Sequence, residues 1–175
     1  LKLISFSGYK SLNHFMEKKN FRVGVIGAGP AGIAAIGVLL SHNIKDILWI
    51  DPAFQGGRMQ LYTKVPSNTK VKFFKEYVEN VHSFKKYWTI PDKNENPLIS
   101  YEGLDPEKGC SLSLSLKKLL KLTSNIRKYH SSEVFFEEGT VTSLNFNKGK
   151  DLWELTTQKN GEKYEYISKS VILAT

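Results

Sequence analysis

Short apolar runs and stretches of helical spacing alternate along the first third of the chain. Residues 22–26 (RVGVI) form an apolar, β-branched run that predicts a buried strand, and residues 46–51 (DILWID) predict a second one. Between them, residues 30–41 place small and apolar side chains at helical spacing. A strand, a helix and a strand in this order predict a βαβ unit whose two strands lie parallel.

The middle of the chain has a weaker pattern. Residues 52–110 contain five of the six prolines, and we expect irregular structure there. Residues 111–129 carry leucines at helical spacing and favour a helix, although their SLSLSL start also fits the alternation of a strand. Two further strands are expected at residues 134–136 and 140–144.

The last part of the chain predicts a hairpin and one more strand. Residues 153–157 and 163–167 flank the pair Asn160-Gly161, which is typical of a tight turn between antiparallel strands. Residues 171–174 (VILA) predict a last buried strand.

Composition and charge exclude several classes of function. The chain has 175 residues, a length that suits one domain, and its single cysteine, Cys110, excludes a disulfide or a CxxC redox pair within this sequence. The net charge is +8, but 22 of the 25 basic residues are lysines; the arginines are Arg22, Arg58 and Arg127. Because arginine is favoured in phosphate and base recognition, we expect no nucleic-acid partner. No apolar run is long enough to span a bilayer, and we expect no membrane association.

The two ends of the sequence suggest a division into a leader or tail, residues 1–20, and one domain, residues 21–175. Residues 1–15 contain two lysines and no acidic residue, which leaves open a mitochondrial or other organellar presequence; otherwise the expected location is cytoplasmic. Because the sequence stops directly after an apolar run, at Thr175, we expect a truncated chain whose C-terminal domain and return segment are absent.

The turn after the first predicted strand carries recognisable chemistry. Its sequence, Gly27-Ala28-Gly29-Pro30-Ala31-Gly32, is a GxGxxG between a strand and a helix, the context in which this motif binds a dinucleotide. We expect Gly27 to permit the tight turn, Gly29 to let a pyrophosphate approach the backbone, and Gly32 to let the helix pack on the sheet. The free N–H groups of the helix N-terminus would then face the phosphates.

An acidic residue stands where this motif requires one. Asp51 follows Gly32 by 19 residues and ends the second predicted strand. A carboxylate at that position can accept hydrogen bonds from both ribose hydroxyls and repels a 2′-phosphate. The site therefore favours FAD or NAD over NADP as its own ligand.

With these motifs the sequence resembles a known superfamily. VGVIGAGPAGIAA, then WIDP, then QGGRM resemble the FAD-binding domain of the FAD/NAD(P)H two-dinucleotide-binding-domain oxidoreductases, which include flavin-containing monooxygenases and thioredoxin-reductase-like enzymes. The resemblance implies an α/β, Rossmann-like domain with a parallel sheet and a small antiparallel β-meander. It also implies that a second glycine pair passes the flavin; Gly56 and Gly57 match that pair, with Arg58 and Met59 beside them.

The resemblance implies further site residues. Asn68 and Thr69 match an asparagine-threonine pair beside the isoalloxazine ring, Val141 matches a strand that contacts the adenine, and Ala174 and Thr175 match an Ala-Thr-Gly element near the pyrophosphate. Asn68 is the one residue expected to be catalytic, and no metal ligand is expected. The full set expected to bind the cofactor is Gly27, Ala28, Gly29, Pro30, Ala31, Gly32, Asp51, Pro52, Gly56, Gly57, Arg58, Met59, Asn68, Thr69, Val141, Ala174 and Thr175.

The resemblance implies an FAD-dependent oxidoreductase that takes hydride from NAD(P)H and acts on a small-molecule substrate or electron acceptor. The pair Asn68-Thr69 and the lack of a CxxC favour a monooxygenase-like branch. A disulfide or quinone reductase, and a non-catalytic flavin-binding regulatory protein, remain alternatives. Because the sequence has no second GxGxxG, the NAD(P)H site is expected outside this chain. The choice between NADH and NADPH, and the oligomeric state, stay open.

Other candidates have ordinary interpretations. We expect Cys110 to be a structural thiol, since no histidine lies near it in the sequence. The histidines show no ligand spacing and are interpreted as surface or loop residues; they are His14, His42, His82 and His130. A lysine cluster follows the second glycine pair and is either a solvated face or an attractor for a phosphorylated cofactor; it comprises Lys64, Lys70, Lys72 and Lys75.

Overall fold

The computed structural model of the protein describes residues 19–175. The predictions for a presequence in residues 1–15 and for His14 therefore lie outside the described residues, as does most of the leader assigned to residues 1–20. All other predicted elements and site residues can be located.

Six strands and four helices make up the described chain. The strands are β1 (Lys19–Ile26), β2 (Ile47–Asp51), β3 (Val134–Glu138), β4 (Thr140–Asn147), β5 (Leu152–Lys159) and β6 (Glu162–Leu173). The helices are α1 (Pro30–Ser41), α2 (Val71–Glu79), the single turn α3 (Lys85–Trp88) and α4 (Leu112–Tyr129). Short 3₁₀ segments occur at Gly57–Tyr62, His82–Phe84 and Ile99–Tyr101.

The strands form one sheet with the order β3-β2-β1-β6-β5-β4. The first four strands of this order are parallel to one another, whereas β6, β5 and β4 form an antiparallel meander. The predicted fold class is therefore confirmed: an α/β domain with a parallel sheet and a small antiparallel β-meander. The βαβ unit predicted from the first third of the chain is β1-α1-β2.

Strand β6 differs from its prediction. The sequence predicted separate strands at residues 163–167 and 171–174, but one continuous strand runs from Glu162 to Leu173. Its first half pairs with β5, from Glu162 to Ser168, and its second half pairs with β1 as far as Leu173. The end of the strand was expected to be buried, yet Leu173 is 67% exposed.

The core is divided by the sheet into two layers. All five residues of β2 are buried, and because successive side chains of a strand point to opposite faces, its apolar residues reach both layers. Ile47 and Trp49 pack with α1 and α4 through residues such as Ile36 and Ile126. On the other face, Leu48 and Ile50 pack with side chains of the meander.

The region between β2 and β3 is more regular than expected. Residues 52–110 were predicted to be irregular, but they contain α2, α3 and the 3₁₀ segments. Helix α2 buries Val71 and Val78, and the spacing of these residues was the missed indication of an amphipathic helix.

Residues 111–129 were predicted to form a helix, with a strand as the alternative for their first part. The segment is helical, and the side chain of Ser111 caps it by accepting a hydrogen bond from the Leu114 N–H at 3.2 Å. Across residues 19–175, none of the helices combines the length and apolar character that crossing a bilayer requires.

Candidate functional site

The glycine-rich turn connects β1 to α1 at the carboxyl edge of the parallel sheet. Gly27 has a φ of +108°, and a Cβ there would lie 2.5 Å from the Ala174 carbonyl oxygen. A Cβ on Gly32 would collide with the carbonyl oxygen of Gly27. The first glycine thus permits the turn and the third permits close packing of the helix, as expected from the motif.

The N-terminus of α1 has free donors. Gly29 is its N-cap residue, no side chain caps the helix, and its first turn has no acidic residue. The first N–H groups of a helix have no partner within the helix, and Pro30 at the start removes one of them. A Cβ on Gly29 would meet no protein atom closer than the Gly57 Cα at 3.9 Å. Protein packing therefore does not require glycine here, whereas a ligand lying against the backbone would.

Asp51 lies at the end of β2 and is 8% exposed. Its Oδ2 accepts a hydrogen bond from the Ala28 N–H at 2.7 Å, and its Oδ1 accepts from the N–H groups of Ala53 and Phe54 at 2.9 and 2.7 Å. Since a carboxylate offers about four acceptor positions, one remains for a ligand hydroxyl. The same carboxylate joins the glycine-rich turn to the chain that follows β2.

A groove of about 740 Å³ lies between these segments. Most of the residues expected to bind the cofactor line it: Gly27, Ala28, Gly29, Pro30, Ala31, Asp51, Pro52, Gly57, Arg58, Met59, Val141, Ala174 and Thr175. The other residues that line the groove were not predicted from the sequence; they are Ile26, Ile50, Tyr62, Leu112, Gly139 and Thr140. Ile26 and Ile50 end the two strands flanking the turn, so their positions could have been inferred; the rest depend on packing between distant segments.

The second glycine pair lies against the first. Gly56 and Gly57 have φ values of +75° and +63°, in the left-handed region that favours glycine. A Cβ on Gly57 would lie 2.9 Å from the Gly29 Cα, so the two glycine-containing segments are in contact at the groove. Gly56 is buried instead against Leu116 of α4 and does not line the groove.

The structure places Asn68 and Thr69 on an exposed segment outside the groove lining. The Thr69 carbonyl accepts a hydrogen bond from the Cys110 N–H at 2.9 Å, and the next residue, Lys70, bridges to Gly109. A Cβ on Gly109 would lie 2.6 Å from the Ser67 carbonyl oxygen, so the two segments approach closely. The expected contact of Asn68 and Thr69 with the isoalloxazine ring stays a prediction.

Half of the lysine cluster is paired with an acidic residue. Glu107 accepts hydrogen bonds from Lys70 at 2.7 Å and from Lys72 at 2.8 Å. These bonds lower the pKa of Glu107 to about 2, and the bond to Glu107 raises the pKa of Lys72. Lys70 and Lys72 are thus partly neutralised, which weakens the cluster as an attractor for a phosphorylated ligand.

A buried lysine lies beneath this region. Lys118 is 2% exposed; its Nζ donates to the Phe74 carbonyl at 3.0 Å and lies 4.3 Å from the centre of the Tyr77 ring. Burial lowers the pKa of Lys118 to about 7. Cys110 is also buried, with its Sγ 3.6 Å from the Ser115 Oγ, as expected for a structural thiol. The sequence offers no local signal for the burial of Lys118, because Lys117 and Lys121 lie beside it in the same helix.

The histidines differ in their surroundings. His42 and His82 are exposed, as expected. His130 lies in the connection after α4, which agrees with its interpretation as a surface or loop residue, but its side chain is only 13% exposed and its ring lies edge-on to Tyr87. Burial lowers the pKa of His130. Within the described residues, no group of histidine, cysteine, aspartate and glutamate side chains could hold a metal ion.

Known proteins resemble the chain in sequence and in fold. No protein-family model matches the sequence. The chain is 36% identical over 156 residues to monooxygenase AgnR1 of Paecilomyces divaricatus, a match that covers 86% of this chain and 39% of that relative. The chain thus spans well under half the length of this relative.

Solved structures of monooxygenases are similar to the chain in fold. Polycyclic ketone monooxygenase from the thermophilic fungus Thermothelomyces thermophila has a TM-score of 0.55 at 16% identity, over 90% of this chain and 23% of that one. Cyclohexanone monooxygenase from Rhodococcus sp. Phi1, bound to NADP+, has a TM-score of 0.58 at 19% identity, over 90% of this chain and 26% of that one. The fold and the sequence similarity to a monooxygenase together confirm the resemblance of this chain to the FAD-binding domain of the FAD/NAD(P)H two-dinucleotide-binding-domain oxidoreductases.

Proposed function

We propose that this chain binds FAD in the groove and forms the FAD-binding part of an NAD(P)H-dependent monooxygenase. The observation that carries the proposal is that the uncapped N-terminus of α1 and the buried carboxylate of Asp51 lie along one groove. A dinucleotide offers phosphate acceptors and ribose donors in that same relation.

The residues present fit this cofactor. The N–H groups of Ala31 and Gly32 would hold the pyrophosphate, and the free acceptor position of Asp51 would hold the ribose. Gly29 supplies the space that the phosphate needs, since a side chain there would enter the groove. FAD, when bound, supplies the redox chemistry, and the residues of this chain bind it and orient it.

The monooxygenase branch is supported by the comparisons and by the sequence. The relative that is 36% identical is a monooxygenase, and a structural neighbour is a cyclohexanone monooxygenase bound to NADP+. The sequence has one cysteine, so it lacks the cysteine pair of a disulfide reductase. We propose NAD(P)H as the hydride donor and a small molecule as the substrate, with the NAD(P)H site outside this chain.

Replacing Gly29 tests the FAD site. The Gly29→Val side chain would occupy the space proposed for the pyrophosphate, so we expect the variant to retain less than about a tenth of the wild-type FAD, an effect of at least 1.4 kcal/mol. Visible absorbance of the purified, FAD-reconstituted protein measures the bound flavin. The matched control is Gly149→Val, in the exposed turn between β4 and β5, which should retain FAD normally. Wild-type FAD content in Gly29→Val would contradict the proposal.

Anaerobic titration with NADPH tests the hydride donor separately. Since this sequence has one GxGxxG, we expect the FAD-loaded chain to stay yellow with NADPH and to be bleached rapidly only with an NAD(P)H-binding domain attached. Bleaching that never occurs with such a domain would leave FAD binding intact and contradict the proposed donor.

A further inference from the structure

A buried carboxylate lies behind one wall of the groove. Glu137 of β3 is 9% exposed, and both of its oxygens accept hydrogen bonds from side chains of the meander. Its Oε2 accepts from the Tyr166 hydroxyl of β6 at 2.6 Å, and its Oε1 accepts from the Thr157 hydroxyl of β5 at 3.0 Å. Buried carboxylates are costly unless they are paired in this way, so the three side chains form one unit.

This unit joins the edge strand β3 to two strands of the antiparallel meander. Strands β3 and β4 are at opposite ends of the strand order, yet only Gly139 separates them in the sequence. The chain therefore crosses from one edge strand to the other within a single residue. Glu137 ties β3 to β5 and β6 directly beside that crossing.

Gly139 lies beside the side chain of Glu137 and the backbone of Asp51. A Cβ on Gly139 would lie 3.2 Å from the Glu137 Oε1 and 3.3 Å from the Thr157 Cβ, so a side chain at this position would crowd both residues and the position of Glu137 limits where Gly139 can lie. The Gly139 N–H donates to the backbone carbonyl of Asp51 at 3.2 Å. Gly139, Thr140 and Val141 then form the groove wall next to Asp51.

The Tyr166 hydroxyl can donate its hydrogen bond to Glu137 at any physiological pH. Burial, together with the bond to Glu137, raises the pKa of Tyr166, so its hydroxyl keeps its proton across the physiological range. Glu138, the next residue of the same strand, contrasts with Glu137: its partners are Lys159 at 3.2 Å and Arg127 at 3.7 Å, and these pairs are half-exposed.

We propose that Glu137 is a positioning residue for the adenosine half of the cofactor: held by Tyr166 and Thr157, it fixes Gly139 and so the groove wall beside Asp51. The inference rests on the proposed function, because it assumes that the groove binds FAD. It assigns to Glu137 an effect on the ribose and adenine end only, through Gly139, and no contact with the flavin ring.

Removing one donor tests the inference. In Tyr166→Phe and in Thr157→Val the carboxylate loses a buried partner and must shift, which displaces Gly139. We expect either variant to raise the dissociation constants of both FAD and ADP by about tenfold and to leave that of FMN unchanged. Isothermal titration calorimetry with FAD, ADP and FMN measures the three constants. A purely structural role would weaken all three ligands or none.

Two matched controls and a conservative variant complete the experiment. Tyr164→Phe removes an exposed tyrosine-glutamate bond from the same strand, and Glu138→Gln removes a neighbouring carboxylate; both should bind ADP normally. Glu137→Gln can still accept from one hydroxyl and donate to the other, and we expect ADP binding within about threefold of wild type. Thermal unfolding of each variant identifies any that is not folded; if Tyr166→Phe is unfolded, Thr157→Val decides.

The outcomes separate this inference from the proposed function. Wild-type protein that binds neither FAD nor ADP would overturn both. Wild-type protein that binds FAD, with folded Tyr166→Phe or Thr157→Val binding ADP equally well, would overturn only the role of Glu137. Equal loss of ADP binding in Tyr164→Phe would also overturn it.

Discussion

The carboxylate of Asp51 organises the site before any ligand is bound. It connects the glycine-rich turn, through Ala28, with the chain after β2, through Ala53 and Phe54. Backbone N–H groups that are buried need acceptors, so Asp51 stabilises the fold in addition to making the proposed ribose contact. Replacing one of its carboxylate oxygens should therefore lower the stability of the protein as well as its affinity for the cofactor.

The variant Asp51→Asn tests how much the Asp51 carboxylate stabilises the fold. The amide keeps one oxygen and loses the second acceptor, so at least one of the three N–H bonds breaks. We expect the free energy of unfolding to fall by about 1–3 kcal/mol, the cost of leaving a buried donor unpaired. Urea unfolding of the cofactor-free protein measures the change. Asp46→Asn is the control, because Asp46 directly precedes β2 and its side chain is exposed. An equal loss of unfolding free energy in Asp46→Asn would contradict the explanation.

At the residue scale, the sequence predicted those site residues whose positions are determined by local backbone geometry. The GxGxxG turn and the acidic residue after β2 are constrained by one βαβ unit, and their placement follows from the parallel strands. Tyr62, Leu112, Gly139 and Thr140 reach the groove only through the packing of segments far apart in the sequence. No local pattern distinguishes them from other residues of their type.

Helix α1 packs through glycine on more than one side. Gly32 faces the turn, whereas Gly37, in the middle of the helix, faces the rings and methyl groups of Phe84 and Val81. A Cβ on Gly37 would lie 2.6 Å from the Val81 Cγ1, which is too close without movement. The contact holds the 3₁₀ segment His82–Phe84 against the helix.

This packing reverses a usual expectation for glycine. In an exposed helix, replacing glycine by alanine stabilises by about 1 kcal/mol. For Gly37→Ala we expect destabilisation by about 1–3 kcal/mol, because the added methyl group overpacks the contact with Phe84. Chemical denaturation measures the sign. Val38→Ala, at the exposed neighbouring position, should change stability little, and a stabilised Gly37→Ala would show that the segment yields without strain.

At the element scale, sequence patterns failed where one element has two environments. Strand β6 was divided in two because Ser168, Lys169 and Ser170 interrupt its apolar pattern. The strand continues because its pairing changes there, from β5 on one side to β1 on the other, and Ser168 is buried where both partners meet. A pattern read along one strand does not reveal which neighbours it will have.

At the scale of the whole molecule, a buried lysine and several buried tyrosines make stability depend on pH in opposite directions. Burial lowers the pKa of Lys118 to about 7, so between that value and its ordinary value of 10.5 the unfolded chain binds more protons than the folded one. Stability therefore rises with pH in that window. Burial also raises the pKa values of Tyr77, Tyr87, Tyr101 and Tyr166 above 10.0, so their contribution is lost as the pH rises above that value.

The variant Lys118→Met isolates the lysine. For the wild-type protein we expect the free energy of unfolding to increase by about 2 kcal/mol between about pH 7 and about pH 9, whereas Lys118→Met should lose most of that increase. Urea unfolding at both pH values measures this difference. Lys117→Met, on the exposed side of the same helix, should keep the wild-type pH dependence. A wild-type profile in Lys118→Met would mean that another group causes the rise.

The pairing of β1 with β6 has a consequence for the rate of folding. These strands come from opposite ends of the described chain, with Lys19 opposite Tyr166, so their alignment closes a loop that contains almost every other element. The β5–β6 hairpin can form early around Asn160-Gly161, because its contacts are local. The parallel half of the sheet can form only after β1 and β6 meet, which requires closing a long loop. Chains dominated by such distant contacts fold in milliseconds to seconds. During that interval β6 has one edge paired and the other free, so the partly folded chain exposes a strand edge to neighbouring molecules.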